Sequence, residues 1–143
     1  MIVVRAYSCD DLEAVVELVG DLGYPTSSGQ MRKRMEAIRS HPDYATLVAE
    51  CEGQVAGMIG LRLAFGYEHD GHVVQITALV VKASFRGRGA GKELIRHAEN
   101  WAREKRAAAI VLTSGNRPER EAAHRFYRHM GFSVTGLRFW KKL

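Results

Sequence analysis

Apolar and polar positions fall in blocks along the chain, and the rhythm switches repeatedly between that of a strand and that of a helix. Ile2-Val3-Val4-Arg5-Ala6-Tyr7 is short and β-branched, which predicts a strand. Ser8 to Asp11 then supply cap residues ahead of Leu12, Val15, Val16, Val19 and Leu22, whose spacing places them on one face of a helix. Gly23-Tyr24-Pro25 ends that helix. Ser27 or Ser28 can cap a second one, with Met31, Met35 and Ile38 on one side and Arg32, Lys33, Arg34, Glu36 and Arg39 on the other, a pattern that reads as a solvated basic face. After His41-Pro42-Asp43, the stretches Tyr44 to Glu50 and Val55 to Leu63 flank Glu52-Gly53-Gln54 and predict an antiparallel hairpin. Ala64 to His72, with Gly66, Asp70 and Gly71, predicts a loop before the strand Val73 to Val81.

The later half keeps switching period. Leu94, Ile95, Ala98, Trp101 and Ala102 share a helical face, with Glu93, Arg96, Glu99 and Arg103 opposite, and Ala108 to Leu112 reads as a buried strand. A long helix between that strand and Val73 to Val81 allows the two to run parallel through a right-handed crossover. Glu119 to Met130 is the last helix, stopped by Gly131; Phe132-Ser133-Val134 and Leu137 to Lys141 predict a closing hairpin around Thr135-Gly136. The order strand, two helices, three strands, helix, strand, helix, closing strands predicts an α/β chain, in which helices flank a mixed sheet.

Composition narrows the reading. With 143 residues, 46% hydrophobic and 26% charged, one domain spanning residues 1–143 with a single core is expected. No apolar run approaches the roughly 18 residues of a membrane span, and Met1 to Arg5 followed by Asp10-Asp11 lacks a leader pattern, so a cytoplasmic protein with no membrane partner is expected. Cys9 and Cys51 form neither a C-x-x-C motif nor a disulfide framework, which suits a reducing compartment. The formal charge of +5 is spread over several stretches with no aromatic-and-basic cluster, which does not favour a nucleic-acid partner.

The stretch from Gln75 to Trp101 carries the chemistry. An apolar strand, Ile76 to Val81, meets Arg86-Gly87-Arg88-Gly89-Ala90-Gly91 just where a helix begins. Glycines there leave main-chain N–H groups uncovered at the positive end of a helix, an arrangement suited to phosphate. The dinucleotide spacing fails because Lys92 stands where its last glycine is needed, and the Walker spacing fails at Arg86 and Glu93.

What remains, Arg-x-x-Gly-x-Gly at Arg86, Gly89 and Gly91, resembles the acyl-CoA pyrophosphate loop of the GNAT (GCN5-related) N-acetyltransferases. Asn116 after the next strand, and Ala123 to Phe132, similar to the family's A-x-x-F-Y-x-x-x-G-F signature, extend the resemblance over essentially the whole chain. It implies the GNAT fold: a central, mostly antiparallel sheet with one parallel, splayed strand pair, flanked by about four helices. It also implies acetyl-CoA as co-substrate and no metal. The arm of the cofactor would lie along Leu79, Val80 and Val81, its pyrophosphate on Arg86, Gly87, Arg88, Gly89, Ala90, Gly91 and Lys92, and Asn116 would reach the same arm.

Acetyl transfer to an amine needs a neutral amine, a donor for the oxyanion and a proton for the departing thiolate. A backbone N–H at Leu79 or Val80 can serve the oxyanion. Tyr127 resembles the family's general acid; a phenol of pKa about 10 is matched to a thiolate of pKa about 8.5 or a little higher. Some members carry a carboxylate where this chain has Thr77 and Ala78, and neither of those takes a proton. Glu50, Glu68, His69, Asp70 and His72 are the remaining base candidates, through water if at all; His69-x-x-His72 has no third ligand at useful spacing for a metal. The resemblance implies direct transfer in a ternary complex to a primary amine, small molecule or peptide; a non-catalytic CoA-binding module is the alternative. A homodimer is also implied, with Phe139 and Trp140 as a contact surface.

Overall fold

In the computed structural model, which describes residues 1–143, the period-2 stretches become a five-stranded sheet in sequential order. The chain folds as two compact units, Met1–Val111 and Leu112–Leu143.

In the first unit β1 (Ile2–Ala6) leads into α1 (Leu12–Leu22) and α2 (Ser28–Arg39), and then β2 (Tyr44–Cys51), β3 (Gln54–Phe65) and β4 (His72–Val81) form an antiparallel meander. The β2–β3 turn is tighter than Glu52-Gly53-Gln54 suggests. Cys51 pairs with Gln54, so Glu52 and Gly53 alone make the turn, both at positive φ (+54° and +74°), the conformation whose twist suits a two-residue hairpin. α3 (Ala90–Glu104) then returns the chain to β5 (Ile110–Leu112). Val74 donates to the carbonyl of Ala109, and Ala108 donates to that of His72, so β5 begins beside the start of β4 and runs with it. The one parallel pair and the antiparallel remainder are as the residue pattern predicts.

The alternation of side chains along β3 sets the layers. Met58 joins Val15, Leu18, Met31 and Met35 in the cluster under α1 and α2, with Val48 and Val80 from the flanking strands. Its neighbour Gly57 faces the other way, toward Leu94 of α3. Helices α1 and α2 therefore cover one face of the sheet and α3 the other. Each buried large side chain on these faces contributes about 1.5–3 kcal/mol.

The entry to α1 is pinned by charge. Asp11, buried, accepts two hydrogen bonds from the Arg5 guanidinium at 2.8 Å each and a third from the Ser8 N–H at 2.8 Å. These bonds hold the Asp11 carboxyl below its ordinary range, with the Arg5 contact as the largest cause.

In the second unit a 3-10 turn at Pro118–Arg120 opens α4 (Glu121–His129). The helix ends in a Schellman arrangement: Phe132 donates to the Tyr127 carbonyl (3.0 Å), Gly131 donates to that of Arg128 (3.0 Å), and Gly131 takes φ +95°. The expected closing hairpin does not form. Residues 132–143 carry no regular secondary structure, and Phe139 and Trp140 are 89% and 78% exposed. Strands of three and five residues joined by Thr135-Gly136 are marginal as an isolated two-stranded ribbon. Trp140 instead takes the Arg138 guanidinium over its ring, 4.8 Å from the centroid.

Candidate active site

The end of β4 and the start of α3 hold Leu79 to Val81 and the Arg86 to Lys92 loop that the sequence singles out. Lys82 donates to the Ala56 carbonyl at 2.7 Å, and the β3–β4 register continues as Gly57 with Val81, Met58 with Val80 and Ile59 with Leu79. In an antiparallel ladder the residues bonded to the partner strand alternate, so Val80 turns its main-chain groups toward β3 while Leu79 and Val81 turn theirs away. Of the two oxyanion candidates, this leaves the N–H of Leu79. The Val80 side chain lies in the core under α1 and α2.

One step further back the ladder slips. Gly60 pairs with Ala78 and Leu61 with Ile76, so Thr77 is the extra residue of a β-bulge. Its Oγ1 leans over Gly60, where an added Cβ would sit only 2.6 Å from it. Glycine at 60 makes room for the hydroxyl, and Ala78 packs beside it against the α1–α2 cluster.

After β4, Phe85 is buried in a 3-10 turn and Arg86 is extended. Gly87 and Gly89 follow at φ +80° and +92°, and Gly89 is the N-cap of α3. No side chain caps that helix end. A Cβ built on Gly87 or Gly89 meets no atom within 4 Å, so the space beside both glycines is open. Ala90 is buried as the first helical residue and Lys92 is exposed. The two arginines of the loop are exposed and bond to their own chain: Arg86 Nε donates to the Val81 carbonyl at 3.4 Å, and Arg88 pairs with Glu52 at 2.9 Å while lying over the Phe85 ring. Main-chain amides and the helix dipole give this helix start positive character, alongside the exposed side chains of Arg86, Arg88 and Lys92.

The base candidates are held elsewhere. Glu50 pairs with Arg5 at 3.3 Å. His72 binds the Lys105 carbonyl through Nε2 at 2.6 Å and lies seven residues before Leu79, about 20 Å along the bulged strand. Glu68 and His69 crowd Gly66 in the loop before β4, with His69 Nε2 buried and unpartnered; Asp70 is exposed in the same loop.

In the second unit Tyr127 is half-buried between Phe126 (centroids 5.7 Å apart) and Phe132 (5.9 Å). The Phe132 contact and the Schellman bonds explain the spacing Y-x-x-x-G-F physically, since the glycine turns the chain and the phenylalanine closes on the tyrosine. Burial pushes the Tyr127 phenol above its ordinary value, with Arg120 pulling less strongly the other way. Asn116 joins Arg117, Pro118, Glu121, His124, Arg125 and Arg128 around a cavity of about 390 Å³, and His124 Nε2 lies 3.1 Å from Ser114 Oγ.

Residue patterning misses two positions on the α1–α2 face. Arg62, two residues beyond Gly60 on β3, pairs in register with Gln75 of β4 and donates to its Oε1. The signal in the sequence is the single charge inside the apolar run from Val55 to Leu63. Arg39, expected on a solvated face, reaches Cys9 Sγ at 3.1 Å and covers the buried Tyr7 ring.

Comparison with known proteins shows the family and the fold. A model of the acetyltransferase (GNAT) family matches residues 12–132. The aminoalkylphosphonate N-acetyltransferase of Salmonella typhimurium is 36% identical over 91 residues, covering 64% of this chain and 58% of that protein. The match spans about half the length of the first curated relatives, or less. Among solved structures, a GNAT family acetyltransferase of Staphylococcus aureus superposes with a TM-score of 0.82 at 30% identity over 99% of this chain and 98% of its own. An aminoglycoside N-acetyltransferase in complex with CoA, 22% identical, superposes with a TM-score of 0.85 over 99% of this chain and 95% of that one, which shows the shared fold.

Proposed function

The chain belongs to the GNAT acetyltransferase family, and from that premise we propose that residues 1–143 act as one domain, an N-acetyltransferase that moves an acetyl group from acetyl-CoA directly to a primary amine. The observation that carries this reading is the uncapped start of α3, with glycines at φ +80° and +92° over open space, beside a strand whose Leu79 and Val81 amide groups face away from β3. In this reading the pantetheine amides pair with Leu79 and Val81 as another strand would, and the pyrophosphate rests on the N–H groups of residues 87–92. The side chains of Arg86 and Arg88 brace the turn. Asn116 meets the same arm.

The amine attacks the thioester carbonyl within a ternary complex, and the Leu79 N–H receives the oxyanion. As the new C–N bond forms and the C–S bond breaks, Tyr127 gives its proton to the thiolate, and solvent restores it. A phenol already carries its proton at neutral pH and burial raises it further, so the proton is present when the thiolate departs. Thr77 and Ala78 occupy the bulge where a carboxylate would serve as base, so the amine proton leaves through water. No covalent acyl-enzyme enters the scheme, since Cys9 lies against Arg39 and Cys51 is buried at the β2–β3 turn.

No helix is long and apolar enough to cross a membrane. A cytoplasmic location is part of the proposal, supported by two free cysteines. So is self-association through the exposed Phe139 and Trp140.

The test is release of free thiol from acetyl-CoA across a panel of amines. Turnover with at least one primary amine is expected. Firm CoA binding with no thiol release across the panel would overturn the catalytic reading and leave a CoA-binding module.

A further inference from the structure

We infer that the acceptor is a small amine carrying an anionic group, phosphonate, phosphate or carboxylate, and that Arg62 with Gln75 holds that group. The inference rests on the acetyltransferase reading and adds its substrate class. Arg62 is half-buried in β3; its Nη2 donates to the neutral Gln75 amide, its Nε is buried with no partner, and no carboxylate lies within ion-pair distance. The other arginines braced against the sheet are matched differently, Arg5 by Asp11 and Glu50, Arg88 by Glu52. Asp43 is the carboxylate nearest in register, since Tyr44 pairs with Arg62, and it forms no ion pair with it. A partly desolvated guanidinium with only an amide for company is costly, and an anion supplies what its geometry lacks.

Its position fits a substrate site. Gly60 and Arg62 lie on the same face of β3, and Thr77 and Ala78 flank Gly60 on that face, so Arg62, Gln75 and the Thr77 bulge form one polar strip beneath the α1–α2 side. Gln75 lies four residues before Leu79, about 13 Å along the strand and less across the bulge. The arginine side chain and a short acceptor together bridge that span, so the anionic group and the amine are separated by only a few bonds.

The experiment compares matched amines with the full-length chain: 2-aminoethylphosphonate and β-alanine against ethylamine and ethanolamine, by thiol release and by calorimetric titration into CoA-loaded protein. An anionic amine is expected to exceed its neutral counterpart by about 30-fold or more in kcat/KM. Arg62→Gln should remove that preference mainly through KM, with a much larger loss on anionic than on neutral amines, and Arg62→Lys should recover part of it. The phosphonate and carboxylate arms decide which anion is preferred. Equal turnover of neutral and anionic amines, or an equal loss on both in Arg62→Gln, would overturn the inference while leaving the acetyltransferase reading intact. Arg62-dependent binding of an anionic amine without any thiol release would overturn the acetyltransferase reading, and the acceptor role with it, while leaving Arg62 and Gln75 as an anion site. Absence of both binding and turnover would overturn both.

Discussion

Replacement of Gly89 separates what the loop needs for folding from what it needs for the cofactor. Gly89 takes φ +92° and a Cβ there meets nothing within 4 Å, so a side chain collides with no atom and its cost to the fold is backbone strain alone. Left-handed geometry costs an ordinary L-residue about 1–2 kcal/mol, and asparagine tolerates it better than most. At this chain length about 1 kcal/mol corresponds to roughly 2–4 °C in Tm, so Gly89→Ala should melt about 2–8 °C lower and Gly89→Asn no more than about 4 °C lower. The functional cost is larger. The new side chain stands over the N–H groups assigned to the pyrophosphate, and each hydrogen bond to a charged group contributes about 1.5–3 kcal/mol, so losing one weakens binding by about 10- to 150-fold. Thermal melts measure the first quantity and calorimetric titration of acetyl-CoA the second. A ligand at about 100 times its Kd stabilises the wild type by about 2.7 kcal/mol, and a tenfold weaker variant at the same concentration by about 1.4 kcal/mol. Gly89→Asn that melts normally and binds acetyl-CoA within twofold of wild type would refute the placement of the pyrophosphate.

Tyr127→Phe should lower kcat by about 100-fold or more with the KM for acetyl-CoA unchanged and the circular dichroism spectrum intact; an unaltered kcat removes the residue as the acid. Because burial raises the Tyr127 phenol, the alkaline loss of kcat that depends on its proton should fall at higher pH than an ordinary phenol would give, and vanish from the profile of the Phe variant. Asp11→Asn should cost about 1–3 kcal/mol at pH 7 by removing the Arg5 and Ser8 contacts. Since Asp11 titrates below its unfolded value of about 3.9, its contribution is present above that pH and lost as pH falls through the lower folded value. The Tm gap between wild type and Asp11→Asn should therefore narrow in acid, and a gap independent of pH would contradict the ion-pair explanation.

The legible parts of this molecule are those written in local periodicity. The meander, the long α3 and the glycine loop each follow from apolar spacing and punctuation, and the two-residue turn at Glu52-Gly53 differs from the expected connection by a single position. The tail defeats the pattern because Phe132-Ser133-Val134 and Leu137 to Lys141 look like strands by residue type, while a strand also needs a partner, which local pattern does not encode. Arg62 and Thr77 are opaque for a related reason. A bulge is a property of two strands in register, and neither the leaning hydroxyl nor the unpaired guanidinium is visible until Gly60 is set against Ala78 and Arg62 against Gln75. The direction of the Leu79 amide likewise requires the bond from Lys82 to Ala56, which fixes the phase of the ladder.

If uncovered main-chain amides at the start of α3 grip a diphosphate, coenzyme A and pantetheine, which shares the arm and lacks the diphosphate, should bind the full-length chain very differently in calorimetric titration. Coenzyme A should give a clear heat of binding, and pantetheine should bind at least roughly 100-fold more weakly, since the diphosphate meets several charge-assisted hydrogen bonds; equal affinities, or no heat with coenzyme A, would rule out that grip.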